Sequence, residues 1–430
     1  MFIKRFLLTQ YGLRCYLCQH RSKSTVGHQK TTTVLGQSYE VDPWTNVSPA
    51  ILEKIGMNLH SQKYHPICLI RQRIQDFFYK RFTKRGNPIF SVFDNESPVV
   101  SLKQNFDNLL VPENHPSRNQ ADSYYLNSAY MLRAHCTAHQ QDFIRAGLNS
   151  FLIVGDVYRR DTVDSSHYPV FHQLDGVRLF DKHDLFEERV SQPDALQLFD
   201  DTKHSALNQA GHAIEATLAV QHDLKSTLED MATILFGKDI ETQWVDAYFP
   251  FTHPSWELEI KYQDKWLEVL GCGVIQQQIL NKSGAGSKVG WAFGMGLERL
   301  AMKLYDIPDI RLFWSKDQRF LDQFRVDDPH SNIQFKPFSI HPPCDIDLSF
   351  WIPEMFQEND FYDLVRSLGG NIVEKVELID VYTYTKLKRT SHCYRITYRH
   401  PDRVMEKVEA DAITKKIAAE ASTKLNVKLR

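Results

Sequence analysis

Residues 151–180 read FLIVGDVYRRDTVDSSHYPVFHQLDGVRLF, and the rest of the chain is best read outward from them. Phe151-Leu152-Ile153-Val154 and Val170–Phe180 are rich in apolar, β-favouring residues, which predicts two strands. The segment from Arg159 to His167 between them is polar and turns the chain. Packing alone does not explain a hairpin with Arg, Asp, His and Gln at its neck, because burying an unpaired charge is costly. A phosphate suits such a place, since arginine offers a planar fork of donors.

A second stretch carries the same kind of signal. Gly290–Phe293 predicts a strand, and a helix is expected to start near Met295 with Leu297, Leu300, Ala301 and Leu304 on its buried side. Gly294 and Gly296 do not form a phosphate loop, because the chain has no GxxxxGK[ST]. They are expected to let ligands lie flat against the backbone.

Gly155, Val157-Tyr158-Arg159, Asp161, Asp164, His167 and Phe171-His172-Gln173-Leu174-Asp175-Gly176 resemble motif 2 of class II aminoacyl-tRNA synthetases, in its phenylalanyl form. Gly290–Met302 resembles motif 3 of the same family. The resemblance covers nearly everything after the first 39 residues. It implies an α+β fold: a class II synthetase antiparallel sheet flanked by helices, followed by a smaller domain.

Size and charge agree with that reading. A chain of 430 residues can bury a large core and form two or three domains. The net charge of −2 gives no global attraction to nucleic acid, so RNA binding rests on local patches. No apolar run approaches the ~20 residues of a membrane-spanning helix. Seven scattered cysteines argue against a disulfide framework and for a reducing compartment. Residues 1–39 hold Lys4, Arg5, Arg14, Arg21, Lys23 and Lys30 with no acidic residue, the composition of a mitochondrial transit peptide. Cys15 and Cys18 fall inside it and lack a second ligand pair.

Residues 40–304 are expected to form the catalytic domain. Pro66 suits the first turn of a helix carrying Ile67, Ile70, Ile74, Phe77 and Phe78, with Lys80, Arg81, Lys84 and Arg85 near its end. Pro88–Phe93 and Pro98–Leu102 predict short strands where the family has its motif 1. Met131–Thr137 predicts a strand, and Thr137-Ala138-His139-Gln140 a capping box for a helix ending before Gly147. A Thr-Ser pair usually occupies positions 136 and 137 in the family; here they are Cys136-Thr137. Asp184–Gly237 predicts helix with Leu207, Ala210, Ile214, Leu218 and Val220 inward. Phe249-Pro250-Phe251 in extended chain would place both rings on one face. Trp256–Ile260 and Lys265–Leu270 predict a hairpin around Gln263-Asp264, and Gly271 and Gly273 would admit a ligand to the backbone.

Residues 305–336 are expected to be a linker wrapped on the surface, and residues 337–430 a separate unit of order βαββαβ, a ferredoxin-like fold. This unit resembles the anticodon-binding domain that ends the family's beta-type chain, whereas the catalytic motifs belong to its alpha type. Both in one chain resembles the family's single-chain mitochondrial members. From Val381 to Arg430 there are 12 Lys/Arg and 5 Asp/Glu, an excess suited to a phosphate backbone.

The resemblance implies that phenylalanine and ATP form phenylalanyl-adenylate, whose phenylalanyl group moves to the terminal adenosine of tRNA(Phe). It implies the mitochondrial matrix as location and, from the fused domains, a monomer. By position, Arg159 would hold the α-phosphate and carboxylate. Arg299 would stack on adenine opposite Phe171 and reach the terminal phosphate, and His167 would meet the leaving diphosphate. Asp161 would accept from the adenine amino group. Gln173, Asp175, Thr137 and His135 would bind the substrate ammonium, while Phe249, Phe251, Ala292 and Gly294 would enclose its ring. Glu268 would help hold Mg²⁺, and equally suits a structural acid paired with an arginine. A non-catalytic RNA-binding paralogue would be expected to lack Arg159 or Arg299, and both are present. A synthetase for another amino acid is disfavoured by Phe-Pro-Phe and FHQLDG. Because all these residues precede 300, loss of residues 337–430 is expected to spare adenylate synthesis.

Overall fold

The computed structural model describes residues 30–186, 196–262, 265–337, 341–385, 388–400 and 402–430. The expected leader lies outside these residues up to position 29, as do Cys15, Cys18 and the tip Gln263-Asp264. Thr31–Val34 pairs with Gln37–Glu40, so regular structure is present ahead of the expected boundary at 40.

The two opening stretches become the middle of a seven-stranded sheet. Its order is Thr242–Phe249, Thr252–Tyr262, Lys265–Ile275, Val289–Gly296, Val170–Phe180, Ser150–Tyr158 and Ser91–Phe93. Every pair is antiparallel except the last, where Ser91–Phe93 runs parallel to Ser150–Tyr158. Side chains alternate across these strands. Leu152, Val154, Tyr158, Leu174, Trp291, Phe293 and Met295 enter the largest core cluster. They meet the helices Pro66–Arg81, Ile214–Phe236 and Leu297–Tyr305 there. Phe151, Ile153, Val157, Phe171 and Ala292 belong to a second cluster on the opposite face. Arg159, Gln173, Asp175 and Gly294 keep that second parity, so the alternation alone gathers the polar residues on one side of the sheet.

Several expectations are corrected. Leu207, Ile214 and Leu218 are exposed, and the buried stripe of Ile214–Phe236 is Ala216, Val220, Leu224, Leu228, Met231 and Leu235. The helix after motif 3 starts at Leu297, two residues later than expected, because Met295 still pairs with Leu174 in the sheet. Residues 305–336 are not a surface wrap. Ile307, Ile310, Phe313, Trp314, Phe320, Phe324 and Phe335 are buried in the main core, which their aromatic content favours over solvent.

Residues Cys344–Trp351, Glu358–Gly369, Val373–Tyr384, Arg389–Tyr398, Lys407–Lys424 and Lys428–Leu429 follow the order βαββαβ. The strands form one antiparallel four-stranded sheet. Its core contains Phe350, Phe361, Val365, Tyr394, Ile396 and Ile417, together with Val163 from the motif 2 loop.

That last contact belongs to an extensive junction. Arg160 Nε donates to Asp363 Oδ2 at 2.7 Å, and Arg160 also pairs with Asp360. Tyr124 donates to Asp363 Oδ1, Arg366 to the carbonyls of Asp161 and Thr162, and Val376 N to Val163 O. Asn359 donates to the Ala121 carbonyl. The small domain therefore grips both sides of the motif 2 loop.

Candidate active site

Two adjoining cavities open on the polar side of the sheet, of about 570 and 250 Å³. Arg159, Asp161, Gln173, Glu268 and Gly294 border both. The larger also touches His135, Thr137, Asp175, Phe249, Phe251 and Ala292, and the smaller His167, Phe171 and Arg299. All fourteen residues singled out in the sequence thus line one cavity or the other.

The larger cavity has an aromatic end and a polar end. Phe249 and Phe251 stack at 5.9 Å with planes 15° apart. They flank the turn of a hairpin, where Phe249 pairs with Thr252, and not a straight extended run. Ala292 contributes only a methyl group opposite them. At the polar end Thr137 Oγ1 donates to Asp175 Oδ2 at 2.6 Å, while Oδ1 is buried with no hydrogen-bond partner among the described residues. Burial raises the Asp175 carboxyl to about 6, against the pull of Thr137, Arg159 and Arg133. His135 Nδ1 is likewise buried without a partner. Burial, with the Arg159 charge beside it, lowers the His135 pKa to about 3, so its ring is neutral. A buried carboxylate oxygen and a neutral ring nitrogen form a ready receptor for an ammonium group. A Cβ on Gly294 would lie 2.9 Å from Asp175 Oδ1, so glycine keeps this receptor open.

Thr137 is therefore not the helix cap expected. The short turn Cys136–His139 precedes the helix Gln140–Arg145, and the Thr137 hydroxyl turns to Asp175. Cys136 points away from the cavity. Its sulfur lies 3.7 and 3.6 Å from the Gly155 and Gln173 carbonyls, and its N–H donates to Gln173 Oε1. The residue at 136 thus orients Gln173 through the backbone. Gly271 also differs from expectation: a Cβ there would meet the Phe249 ring at 2.7 Å, so the missing side chain makes room for the aromatic wall.

The smaller cavity is lined by charge. Arg159 Nε donates to the Ala134 carbonyl at 2.8 Å, and its guanidinium lies 5.2 Å from the Phe171 ring centroid. Arg299 Nη1 lies 3.4 Å from Glu268 Oε2, the acid–arginine pairing that the sequence left open. Asp161 accepts from the Thr162 N–H at 2.7 Å. His167 is presented by a loop closed on Asp164, whose Oδ1 accepts from the N–H groups of Ser166 and His167. The hydrogen bond to Asp164 raises the His167 pKa, which favours the cation. No Cβ contact lies within 4 Å of Gly296, which leaves open space beside the strand.

Sequence reasoning missed the support behind these residues. Glu298 is buried and accepts from His172 N at 2.7 Å and pairs with His172 Nδ1 at 2.6 Å. This fastens the strand bearing Phe171 and Gln173 to the helix bearing Arg299. Buried Arg133 holds Asp156 through Nη2 at 2.8 Å and the Asp156 carbonyl through Nε at 2.7 Å. A Cβ on Gly155 would overlap Arg133, so glycine is required where that guanidinium crosses the strand. Asn359, from the small domain, also borders the larger cavity. A buried Glu beside a motif Arg was the only sequence signal for the first pair. Nothing local announced Asn359.

The family described as tRNA synthetases class II core domain (F) matches residues 52–187 and 188–324. The ferredoxin-fold anticodon binding domain matches residues 339–430. The mitochondrial phenylalanine–tRNA ligase of Mus musculus is 51% identical over 437 residues, covering 99% of this chain and 97% of that one. The mitochondrial phenylalanine–tRNA ligase of Saccharomyces cerevisiae is 34% identical over the whole of both chains. A phenylalanine–tRNA ligase alpha subunit from Hahella chejuensis is 34% identical, covering 60% of this chain and 68% of its own. The chain belongs to the phenylalanine–tRNA ligase family of the class II aminoacyl-tRNA synthetases.

Proposed function

We infer that this chain activates phenylalanine with ATP and transfers it to tRNA(Phe), as an aminoacyl-tRNA ligase of the mitochondrial type. The observation that carries the chemistry is the arrangement of the two cavities: one ends in stacked phenylalanines, the other in arginines, and Arg159 stands between them. Phenylalanine fits the first with its ring against Phe249, Phe251, Ala292 and Gly294. Its ammonium meets Asp175 Oδ1 and His135, with Thr137 and Gln173 completing the polar end. ATP fits the second, its adenine beside Phe171 and Arg299 with Asp161 in reach of the exocyclic amine.

The substrate carboxylate attacks the α-phosphorus, and diphosphate leaves. Charge grows on the phosphate oxygens, so catalysis consists of positioning and electrostatic stabilisation. Arg159 holds the carboxylate and the α-phosphate together. His167, favoured as a cation, meets the departing diphosphate, and Arg299 meets the terminal phosphate. No general base is needed, because the carboxylate is already ionised. Glu268 is a half-exposed carboxylate bordering both cavities, the type of ligand Mg²⁺ uses alongside substrate phosphates. Bound there, the ion would neutralise phosphate charge. The one other cluster of potential ligands among the described residues, Asp181, His183 and Asp184, borders neither cavity.

We propose residues 1–39 as a transit peptide for the mitochondrial matrix, 40–304 as the catalytic domain with 305–336 as its buried extension, and 337–430 as the anticodon-binding domain. The fused domains support a monomer. No described helix is long and apolar enough to cross a membrane. The test is ATP–diphosphate exchange measured across the amino acids. Exchange with phenylalanine far above the others supports the reading, and equal or greater exchange with a non-aromatic amino acid overturns it.

A further inference from the structure

Residues 196–213, ahead of the long helix Ile214–Phe236, line neither cavity. They fold back on themselves: Phe199 bridges to His212, Asp200 N donates to the Gly211 carbonyl and Ala213 N to the Leu198 carbonyl. One side chain leaves this loop for the back of the aromatic wall. Gln209 is buried, and its Nε2 donates to the carbonyls of His253 at 2.8 Å and Ile275 at 2.9 Å. Its Oε1 accepts from the Gln277 N–H at 2.7 Å. A glutamine amide carries two N–H donors and one carbonyl acceptor. Both hydrogens and the oxygen are therefore engaged, and two carbonyls beside one N–H leave a single orientation that satisfies all three.

The place it bridges is a break in the sheet. Thr252 pairs with Ile275 and Ser255 with Gly273, so His253 and Pro254 together face Val274. Proline has no N–H to give to the ladder. Gln209 thus joins the two strands where their own backbone rungs are interrupted. The pocket wall begins beside this break: Gln276 N donates to the Phe251 carbonyl at 3.0 Å, and Phe249 pairs with Thr252. A shift of His253 or of residues 275–277 is carried directly to the two stacked rings. The loop is braced from behind as well. Asn208 Nδ2 donates to the His212 carbonyl, Ser205 Oγ to Asn208 Oδ1, and the His253 ring to the Ser205 carbonyl.

We propose that Gln209 is a positioning residue for phenylalanine: from outside the cavity it sets where the Phe249–Phe251 wall stands, without touching the substrate. This rests on the reading of the larger cavity as the phenylalanine pocket. The smaller cavity meets the strand Lys265–Ile275 at Glu268, Val269 and Leu270, well before Ile275. Loss of the clamp therefore falls on the amino acid and spares ATP.

The test uses the full chain and ATP–diphosphate exchange. Gln209→Met fills a similar volume with no donor, and Gln209→Glu keeps the length but sets an acceptor against two carbonyls. Each is expected to lower kcat/KM for phenylalanine on the order of 100-fold, the effect of an ångström-scale misplacement. The loss should lie in the KM for phenylalanine, with the KM for ATP unchanged and the preference for phenylalanine over tyrosine reduced. Leu207→Ser, an exposed change in the same loop, is expected to alter neither KM. If Gln209→Glu does not fold because of its buried charge, Gln209→Met, which carries none, decides. The assignment is refuted if Gln209→Met leaves the KM for phenylalanine unchanged, if it raises the KM for ATP equally, or if Leu207→Ser reproduces its effect. If the unaltered chain shows no phenylalanine-dependent exchange, the pocket reading falls first and this assignment with it.

Discussion

Arg160 and Asp363 stand 203 positions apart in sequence, in different domains, yet Arg160 Nε donates to Asp363 Oδ2 at 2.7 Å. Asp363 also accepts from Tyr124, and Arg366, three residues on, holds the Asp161 and Thr162 carbonyls. Arg159 and Asp161, on either side of Arg160, both border the catalytic cavities. The motif 2 loop is thus shaped partly by the small domain.

Arg366→Ala is accordingly expected to loosen the loop and raise the KM for ATP severalfold in the exchange assay, with the amino-acid KM changing less. Removing residues 337–430 is expected to depress exchange, contrary to the expectation from sequence. Unchanged ATP kinetics in Arg366→Ala would show that the loop holds its shape alone.

Arg159→Ala is expected to reduce exchange by on the order of 100- to 1000-fold, the usual effect of removing one oriented group from developing charge. The circular dichroism spectrum should stay as it was, since the guanidinium is tied to the fold only by its hydrogen bond to the Ala134 carbonyl at 2.8 Å and by its packing on the Phe171 ring among the described residues. Near-normal exchange would remove Arg159 from the mechanism.

Asp175 gives a prediction with opposite signs for binding and stability. Its folded pKa is raised to about 6, so in the empty protein its ionised form costs stability. That cost is absent below the ordinary carboxylate pKa and fully present above about 6. Asp175→Asn is expected to melt higher at pH 7 by about 1–3 kcal/mol, from ~1.4 kcal/mol per pKa unit, and to lose phenylalanine activation. In the unaltered chain kcat/KM for phenylalanine should fall as pH drops through about 6. Thermal melts with and without phenylalanine, and a pH profile, check both signs.

Gly294→Ala is expected to abolish phenylalanine binding, because its methyl would sit 2.9 Å from Asp175 Oδ1. Ala292→Gly is expected to do the reverse and deepen the pocket, raising the misuse of tyrosine. The unaltered pocket should reject tyrosine by only about 100-fold, because an apolar wall excludes an added hydroxyl weakly. Comparative exchange with phenylalanine and tyrosine measures both.

Glu298→Ala is expected to orphan two buried donors of His172, at about 1–3 kcal/mol each, and to weaken ATP binding by releasing the strand from the helix. Glu298→Gln, which keeps an acceptor, should recover part of each. Equal loss in both variants, with no change in the KM for ATP, would confine the pair to stability.

The sequence carried the site better than its surroundings. Alternation along Phe171–Asp175 and Ala292–Gly296 was legible, because each strand states its own parity. The burial of Phe313, Trp314 and Phe320 was not, since no period marks a short turn that fills a gap between packed helices. Leu207 and Leu218 misled for a related reason: a long helix has apolar residues on more than one side, and only its neighbours decide which is covered. Asn359 and Arg366 belong to contacts closed over about two hundred residues, which no local pattern encodes.

The sulfur of Cys136 and that of Cys272, which borders the larger cavity, are both buried, and burial pushes both thiols far above the pH at which a thiolate forms. Only the thiolate reacts readily with peroxide or alkylating reagents. The amino-acid pocket is therefore bordered by one cysteine, Cys272, and backed by another, Cys136, that oxidants leave untouched, and loss of activity under oxidative stress would have to begin elsewhere in the chain.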